Sequence, residues 1–446
     1  MAKKILIIGA GITGLTAAVR LVTQGYNVTV VEASSTVGGL AGSIILDGVP
    51  IERYYHFICR EDHDLIKFIN ELGLNEKLTW KEAGTASFIN GKIYPFNTPF
   101  DLLNFAPVPF LQRLRFGMHV AASQFRKSWS GLDKLSAKPW LIKRVGASAY
   151  FAIWDPLLRI KFGEYHEQIS AAWIWHRIHR VARSRTKPQS LNSYGYLDQG
   201  CHTLMQRMID RLSGSENFHL ILNGKVSKIS IKNRKTEGVI LESGRSISAD
   251  SVISTCAIPT FIKLVDSLGD YGARLASINY LNVVCVLFVL DRPYSKNFWL
   301  NVNDPRMSFN GIVETTNLNP RSDLKGRSLI YVPYYMSSQN PRWGWTDESF
   351  FNEYIDALKI INPQFSEDWI VRRYVFRDAN AQAVCRVGFS EIMPAMRTSV
   401  HGLYITDSSQ YYPEDRTLSA SVKLGSSVAK LLTMDLHCNK SLSTHI

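Results

Sequence analysis

The chain of 446 residues is 46% hydrophobic, 20% charged and 11% aromatic, a composition that excludes a disordered, collagen-like or coiled-coil protein and leaves room for about three units of roughly 150 residues. Lysine and arginine number 51 against 38 acidic residues, a formal charge of +13 that suggests an anionic partner. The surplus is local: residues 110–190 hold 15 Lys/Arg and only Asp133, Asp155, Glu164 and Glu167, the remainder is nearly balanced, and nucleic-acid binding is accordingly not expected.

Lys3 and Lys4 ahead of Ile5–Ile8 imitate a signal peptide, but three glycines break the apolar run within six residues and an amphipathic pattern follows. The run reads as a buried strand, followed by the turn Gly9-Ala10-Gly11-Ile12-Thr13-Gly14 and a helix in which Leu15, Ala18, Val19 and Val22 repeat until Gly25. Val28–Val31 make a second strand ending at Glu32, 18 residues beyond Gly14. Strand, GxGxxG, helix and an acid closing the next strand form a dinucleotide fingerprint: Gly9 permits the turn, Gly11 admits a diphosphate, Gly14 lets helix and strand approach, and the helix amino end offers free N–H donors. Glu32 would accept from a ribose 2′-hydroxyl and repel a 2′-phosphate, which favours FAD or NAD over NADP.

The next segment, Glu32-Ala33-Ser34-Ser35-Thr36-Val37-Gly38-Gly39-Leu40-Ala41-Gly42-Ser43, resembles the second flavin signature of the amine oxidase-like flavoproteins. That superfamily includes amine oxidases, protoporphyrinogen oxidases, phytoene desaturases and UDP-galactopyranose mutases. The resemblance implies FAD as cofactor, with Gly9 to Gly14, Glu32, Ala33, Gly38, Gly39 and Leu40 along it. In the mutases and bacterial protoporphyrinogen oxidase-like proteins, a stretch similar to Ile51-Glu52-Arg53-Tyr54-Tyr55-His56-Phe57 passes beside the flavin ring. The likeness makes His56 the catalytic candidate and Tyr55 a substrate contact; packing between aromatics is the alternative for this histidine.

A helix is expected from Asp62 to Leu72, then a hairpin turning at Asn90-Gly91 and running into a proline-started helix at Pro99. By the same resemblance Tyr94, Phe96 and Asn97 wall the substrate cavity, with plain domain packing as the other reading. Two readings of the basic block stand. Phe105 through Lys127 and Trp129 mix apolar and basic residues as a membrane-interface helix does, giving a peripheral contact through residues 105–145. Alternatively, some of Arg144, Arg159, Lys161, Arg177, Arg180 and Arg183 hold the diphosphate of a small or lipid-linked anionic substrate. His176 and His179 have no acid or cysteine nearby, so no metal is expected.

Tyr196 to Leu204 resembles the family's Gly-Gly-x-x-x-Leu turn, with Cys201 in place of the second glycine, and a helix follows to Leu212. Strands are expected at Lys225–Ile229, Gly238–Leu241 and Asp250–Thr255; the resemblance places Val226 against the adenine, whereas a hairpin core valine is the alternative. Val283–Leu290 and Ser328–Tyr335 read as strands and Glu348–Ile361 as a covering helix. Gly402 to Asp407 resembles the family's closing Gly-Asp motif with Thr406 in place of the glycine; by that likeness Asp407 holds the ribityl or diphosphate part, and the helix from Ser419, with Leu418 at its amino end, points at the flavin.

The expected architecture is α/β: a Rossmann-like FAD domain of the GR2 flavoprotein type from residues 1–80, 190–260 and 395–435, a helical, basic insertion at 81–189, and a mixed-sheet substrate domain at 261–394 with a helical cap. Six scattered cysteines without a CxxC pair fit a reducing, cytoplasmic compartment, and no apolar run is long enough to span a bilayer, so a peripheral position on its inner face is the membrane alternative. The expected activity is hydride transfer from a small or lipophilic substrate to flavin. The alternatives are a redox-neutral sugar-nucleotide mutase and an inactive flavin-containing membrane- or partner-binding subunit.

Overall fold

The computed structural model describes residues 2–183, 191–266 and 268–443. Arg185 and Lys187 of the basic block lie outside them. A five-stranded parallel sheet orders Leu403–Ile405, Ser251–Ser254, Lys4–Ile8, Asn27–Val31 and Phe218–Ile221. The three inner strands are rich in Val and Ile because both faces of the sheet are covered there. One cover is the helix Ile12–Thr23, which packs with the helices Cys201–Ser213 and Leu418–Ser443. A three-stranded antiparallel sheet, Val226–Lys232, Lys235–Leu241 and Ser246–Ser248, completes this part.

The second large sheet is mixed, with order Ile370–Ala383, Tyr280–Leu290, Ser328–Met336, Gly311–Glu314, Trp299–Val302, Thr85–Ile89 and Lys92–Pro95. Tyr280–Leu290 is buried along its whole length, yet its side chains still alternate. Val284, Val286, Phe288 and Leu290 pack beneath the helix Asp347–Ile361 with Phe350, Phe351 and Tyr354, while Val283, Cys285 and Leu287 face Tyr54, Tyr194 and Tyr331. The second face turns toward the nucleotide-binding part.

The hairpin at 85–95 corrects the expected division at residue 81. Thr85–Phe88 pair in parallel with Trp299–Val302, so the hairpin is the edge of the substrate-side sheet and not part of the helical insertion. The helical insertion begins at Pro99–Leu103 and continues through Phe110–Ser123, Ala137–Val145, Asp155–Phe162 and Ala171–Ala182, around a core of Trp140, Tyr150, Phe162 and Trp173. Arg180 ties it to the nucleotide-binding part through Asp62 at 2.8 Å, one residue before the helix His63–Glu71.

Candidate functional site

Two glycine turns face each other at the carboxyl end of the parallel sheet. Gly9 sits at φ 102°, and a Cβ on Gly14 would lie 2.0 Å from the Gly9 carbonyl oxygen, so strand and helix meet only without side chains there. Opposite them Gly38 adopts φ 124°, its N–H donates to Ala10 O at 2.9 Å, and a Cβ on it would strike Met205 Sδ at 2.6 Å. The helix Ile12–Thr23 starts at Gly11 with no side-chain cap, and a Cβ on Gly11 would meet nothing closer than Gly38 O at 4.0 Å. An uncapped helix amino end opening on this space is a backbone cradle that fits the FAD diphosphate, with Ile12 and Thr13 supplying N–H groups.

Glu32 borders the cradle. One carboxylate oxygen accepts the Ala10 N–H at 2.8 Å and the other the Ser34 N–H at 2.9 Å, which leaves a lone pair on each for a ribose hydroxyl. Ala33 is exposed beside it, and Leu40 lies in the turn Gly39–Ala41. Arg53, which sequence reasoning did not single out, donates from Nη2 to Gly39 O at 2.8 Å and lies 3.3 Å from Asp378. It links the glycine turn to the substrate-side sheet, and only the fold reveals it. Val226 opens its strand opposite Leu241 with a buried side chain.

Asp407 is buried just beyond the strand Leu403–Ile405. Its carboxylate accepts from the Tyr280 hydroxyl and the Ser409 N–H, each at 2.6 Å, and from the Ile258 N–H at 3.2 Å, capping the turn Ser408–Tyr411. Burial pushes its pKa up, against the pull of those donors. Asp407 thus shapes the turn that leads to Leu418, while Oδ2, which accepts the Ile258 N–H alone among the described residues, retains a lone pair. Thr417 Oγ1 accepts from the Ala420 N–H at 2.9 Å and caps the closing helix, whose first residue is Leu418.

Leu418 and His56 line one partly open pocket of about 50 Å³ together with Glu52, Cys201, Leu204 and Tyr331. His56 Nδ1 lies 3.3 Å from Glu52 Oε1, and that oxygen also accepts the Cys201 N–H at 2.9 Å. Burial would raise the Glu52 carboxyl, but the imidazole and the Cys201 donors outweigh it and hold the pKa below its ordinary value. The Cys201 thiol also interacts with this carboxylate, which a glycine at this place in the motif could not do. The ligand atoms of Glu52, His56 and Cys201 lie within 4.8 Å of one another, a metal-like grouping that the sequence did not suggest. Burial and the adjacent Glu52 carboxylate push the thiol far above its ordinary pKa, keeping the sulfur protonated, so the trio orients His56 rather than presenting a thiolate.

Tyr55 packs edge-on against Trp299 at 5.2 Å and near Tyr331 at 6.4 Å, its phenol pushed well above the usual value by burial. The other expected substrate contacts stand elsewhere. Tyr94 and Phe96 lie edge-to-face on Phe105 at 5.6 and 5.1 Å, and Asn97 Oδ1 accepts the Thr85 N–H at 2.5 Å, bracing the hairpin. None of the three lines the space that holds His56.

In the basic block Arg113 donates to the Val108 and Leu103 carbonyls and Arg126 to those of Ser128 and Ser130. Around them Phe110, Leu111, Leu114, Met118 and Phe125 are exposed, Leu111 by 73% and Phe125 by 83%. No helix of the described residues is long and apolar enough to cross a membrane.

Comparison with known proteins agrees with this geometry. The chain is 24% identical over 286 residues to the zeta-carotene desaturase of Synechocystis sp., a stretch covering 57% of this chain and 58% of the relative. It is 36% identical over 106 residues to the mitochondrial protoporphyrinogen oxidase of Nicotiana tabacum, covering 23% and 21% of the two chains. The structure of reduced UDP-galactopyranose mutase superposes with a TM-score of 0.75 at 18% identity, over 96% of this chain and 95% of the mutase, a likeness of fold. The model of the flavin containing amine oxidoreductases matches residues 12–409, and the chain therefore belongs to that family, with FAD as its cofactor.

Proposed function

We propose that the protein is an FAD-dependent oxidoreductase that takes a hydride from a C–N or C–C unit of a small or lipophilic substrate. The observation that carries this reading is that His56 lines one pocket with Leu418, the first residue of the closing helix. Bound FAD supplies the two-electron acceptor. The Glu52 carboxylate 3.3 Å from Nδ1 attracts a proton to that nitrogen electrostatically, without a formed hydrogen bond, and Nε2 would then take the proton lost beside the oxidised C–H of the substrate. A relative named as a carotene desaturase and another named as a protoporphyrinogen oxidase support oxidation chemistry.

The purified protein is expected to be yellow and to bleach anaerobically with its substrate. His56→Ala should retain flavin and slow the bleaching by about 10²–10⁴-fold, the usual contribution of a positioned acid or base. A colourless protein that takes up no FAD overturns the reading, and an unchanged rate in His56→Ala removes the histidine from the chemistry. A mutase-type isomerisation is the second reading, favoured by the fold likeness to UDP-galactopyranose mutase. It would need reduced flavin and consume no acceptor, so acceptor stoichiometry separates the two. We also propose that residues 105–145 dock peripherally on an anionic membrane surface, supported by the exposed Phe110, Leu111, Leu114, Met118 and Phe125 within the basic block.

A further inference from the structure

Five of the six basic side chains that the sequence offers for an anionic group are sorted by the fold into two sets. Arg159 pairs with Asp155 at 2.6 Å, Arg180 with Asp62 at 2.8 Å and Arg183 with Glu61 at 3.4 Å, each cation meeting its own acid. Lys161 and Arg177 instead share Asp415, at 3.3 and 2.9 Å, next in sequence to Arg416. Gln382 Nε2 and the Arg416 N–H also donate to the Asp415 carboxylate, at 3.1 and 2.9 Å. The Arg416 guanidinium reaches no carboxylate in this group: it donates to Ala381 O at 3.0 Å and to the Tyr335 hydroxyl at 2.5 Å, and its Nε is buried without a partner.

Three cations thus surround one carboxylate, in a place where the Lys161 side chain is 8% exposed. The ammonium otherwise meets ring faces, Trp173 at 4.9 Å and Tyr335 at 5.0 Å. Burial, with Arg177 and Arg416 adding to it against the pull of Asp415, lowers the lysine to about 8. Buried charge of one sign in excess is costly unless a counter-charge arrives. Arg177 and Asp415 keep 26% and 19% exposure, so the cluster borders open space and is not sealed in the core. Arg416 stands two residues before Leu418, and Tyr55, which feels the charges of Arg416 and Arg177, is the neighbour of His56, so the cluster adjoins the candidate site.

We propose that Lys161, Arg177 and Arg416 form an oxyanion subsite that holds a carboxylate or phosphate group of the substrate. The proposal rests on the flavoenzyme reading and names the class of substrate: a molecule that carries an anionic group next to the part that reacts.

The test is calorimetric titration of the FAD-loaded protein with inorganic pyrophosphate and, separately, with benzoate, against potassium chloride at equal ionic strength. Saturable one-to-one binding is expected, perturbing the flavin absorbance and weakened at least tenfold by Lys161→Met and by Arg177→Met, with flavin content unchanged. Lys161→Met leaves Asp415 paired with Arg177 and removes a buried charge, so the variant should fold; Arg177→Met, at a more exposed position, is the second line. Pyrophosphate binding the tighter assigns a phosphorylated substrate, and benzoate the tighter a carboxylate. Binding no stronger than chloride, or equal in wild type and both variants, overturns the proposal. So does a shift in flavin potential in the variants without anion binding, since the cluster would then serve reduced flavin alone. A protein that takes up no FAD fails the flavoenzyme reading, while pyrophosphate titration of wild type and the two variants still decides on the subsite.

Discussion

Glu32 is the residue at which cofactor binding and fold stability can be separated. Its two oxygens accept N–H groups with different fates: Ala10 is fully buried, whereas Ser34 is exposed and can return its N–H to water. In Glu32→Ala the stranded Ala10 N–H alone sets the loss, about 1–3 kcal/mol for an unsatisfied buried donor. In Glu32→Gln the amide oxygen can still accept from Ala10 and the amide nitrogen can face solvent, so only the charge assistance goes, about 1 kcal/mol. These losses belong to the apoprotein. FAD adds a second one, because both substitutions remove the anionic acceptor for the ribose hydroxyl; at about 1.5–3 kcal/mol that weakens FAD by roughly 10–100-fold. Urea midpoints of the apoprotein measure the first effect, and quenching of flavin fluorescence on titration measures the second. The expected order of apoprotein stability is wild type, Glu32→Gln, Glu32→Ala, with both variants similarly weak for FAD. If Glu32→Ala matches wild type in both assays, Glu32 neither staples the glycine turn nor meets the ribose.

Asp415 is held well below the usual carboxylate range because Lys161, Arg177 and Arg416 outweigh the opposing effect of burial. A depressed carboxyl adds stability above its unfolded value of about 3.9, and that stability is lost as pH falls toward the lower folded value. Asp415→Asn should therefore lose about 3–5 kcal/mol at neutral pH and show a shallower decline in urea midpoint from pH 5 to 2.5; parallel acid limbs would show that the carboxyl is not depressed. Asn97→Ala should cost about 1–2 kcal/mol by freeing the Thr85 N–H, with KM unchanged, whereas a cavity wall would raise KM. Replacing Leu111, Leu114 and Met118 together with Ser should weaken sedimentation with phosphatidylglycerol vesicles at least 100-fold, at about 1–2 kcal/mol per side chain, and leave FAD content intact; equal sedimentation would remove this face from the membrane contact.

What could be read in the sequence and what could not divides along a physical line. The cradle was legible because backbone geometry dictates residue type over a short span: only glycine fits at φ 102° and at 2.0 Å from a carbonyl, and both turns and Glu32 fall within the first 39 residues. The hairpin at Asn90-Gly91 was legible for the same reason, since both residues sit at positive φ. Its sheet was not, because Thr85 finds its partner at Trp299, and nothing local in a strand says which distant edge it will meet. Glu52 and Cys201 were hidden in the same way: a carboxylate on an antiparallel hairpin gave no periodic signal, and the cysteine looked like a broken glycine motif until the fold brought its thiol as well as its N–H to that carboxylate. The charge cluster is the extreme case. Lys161 and Asp415 are 254 positions apart and Arg177 and Asp415 are 238 apart, so the sequence showed a basic block without saying which cations would be neutralised. The distinction decides what the block does. Cations matched one-for-one with acids tie elements together, as Arg180 ties the insertion to Asp62. A cation brought into the interior beyond what the acids can balance works against stability, and a fold that obeys its local rules elsewhere keeps such a conflict where a ligand resolves it.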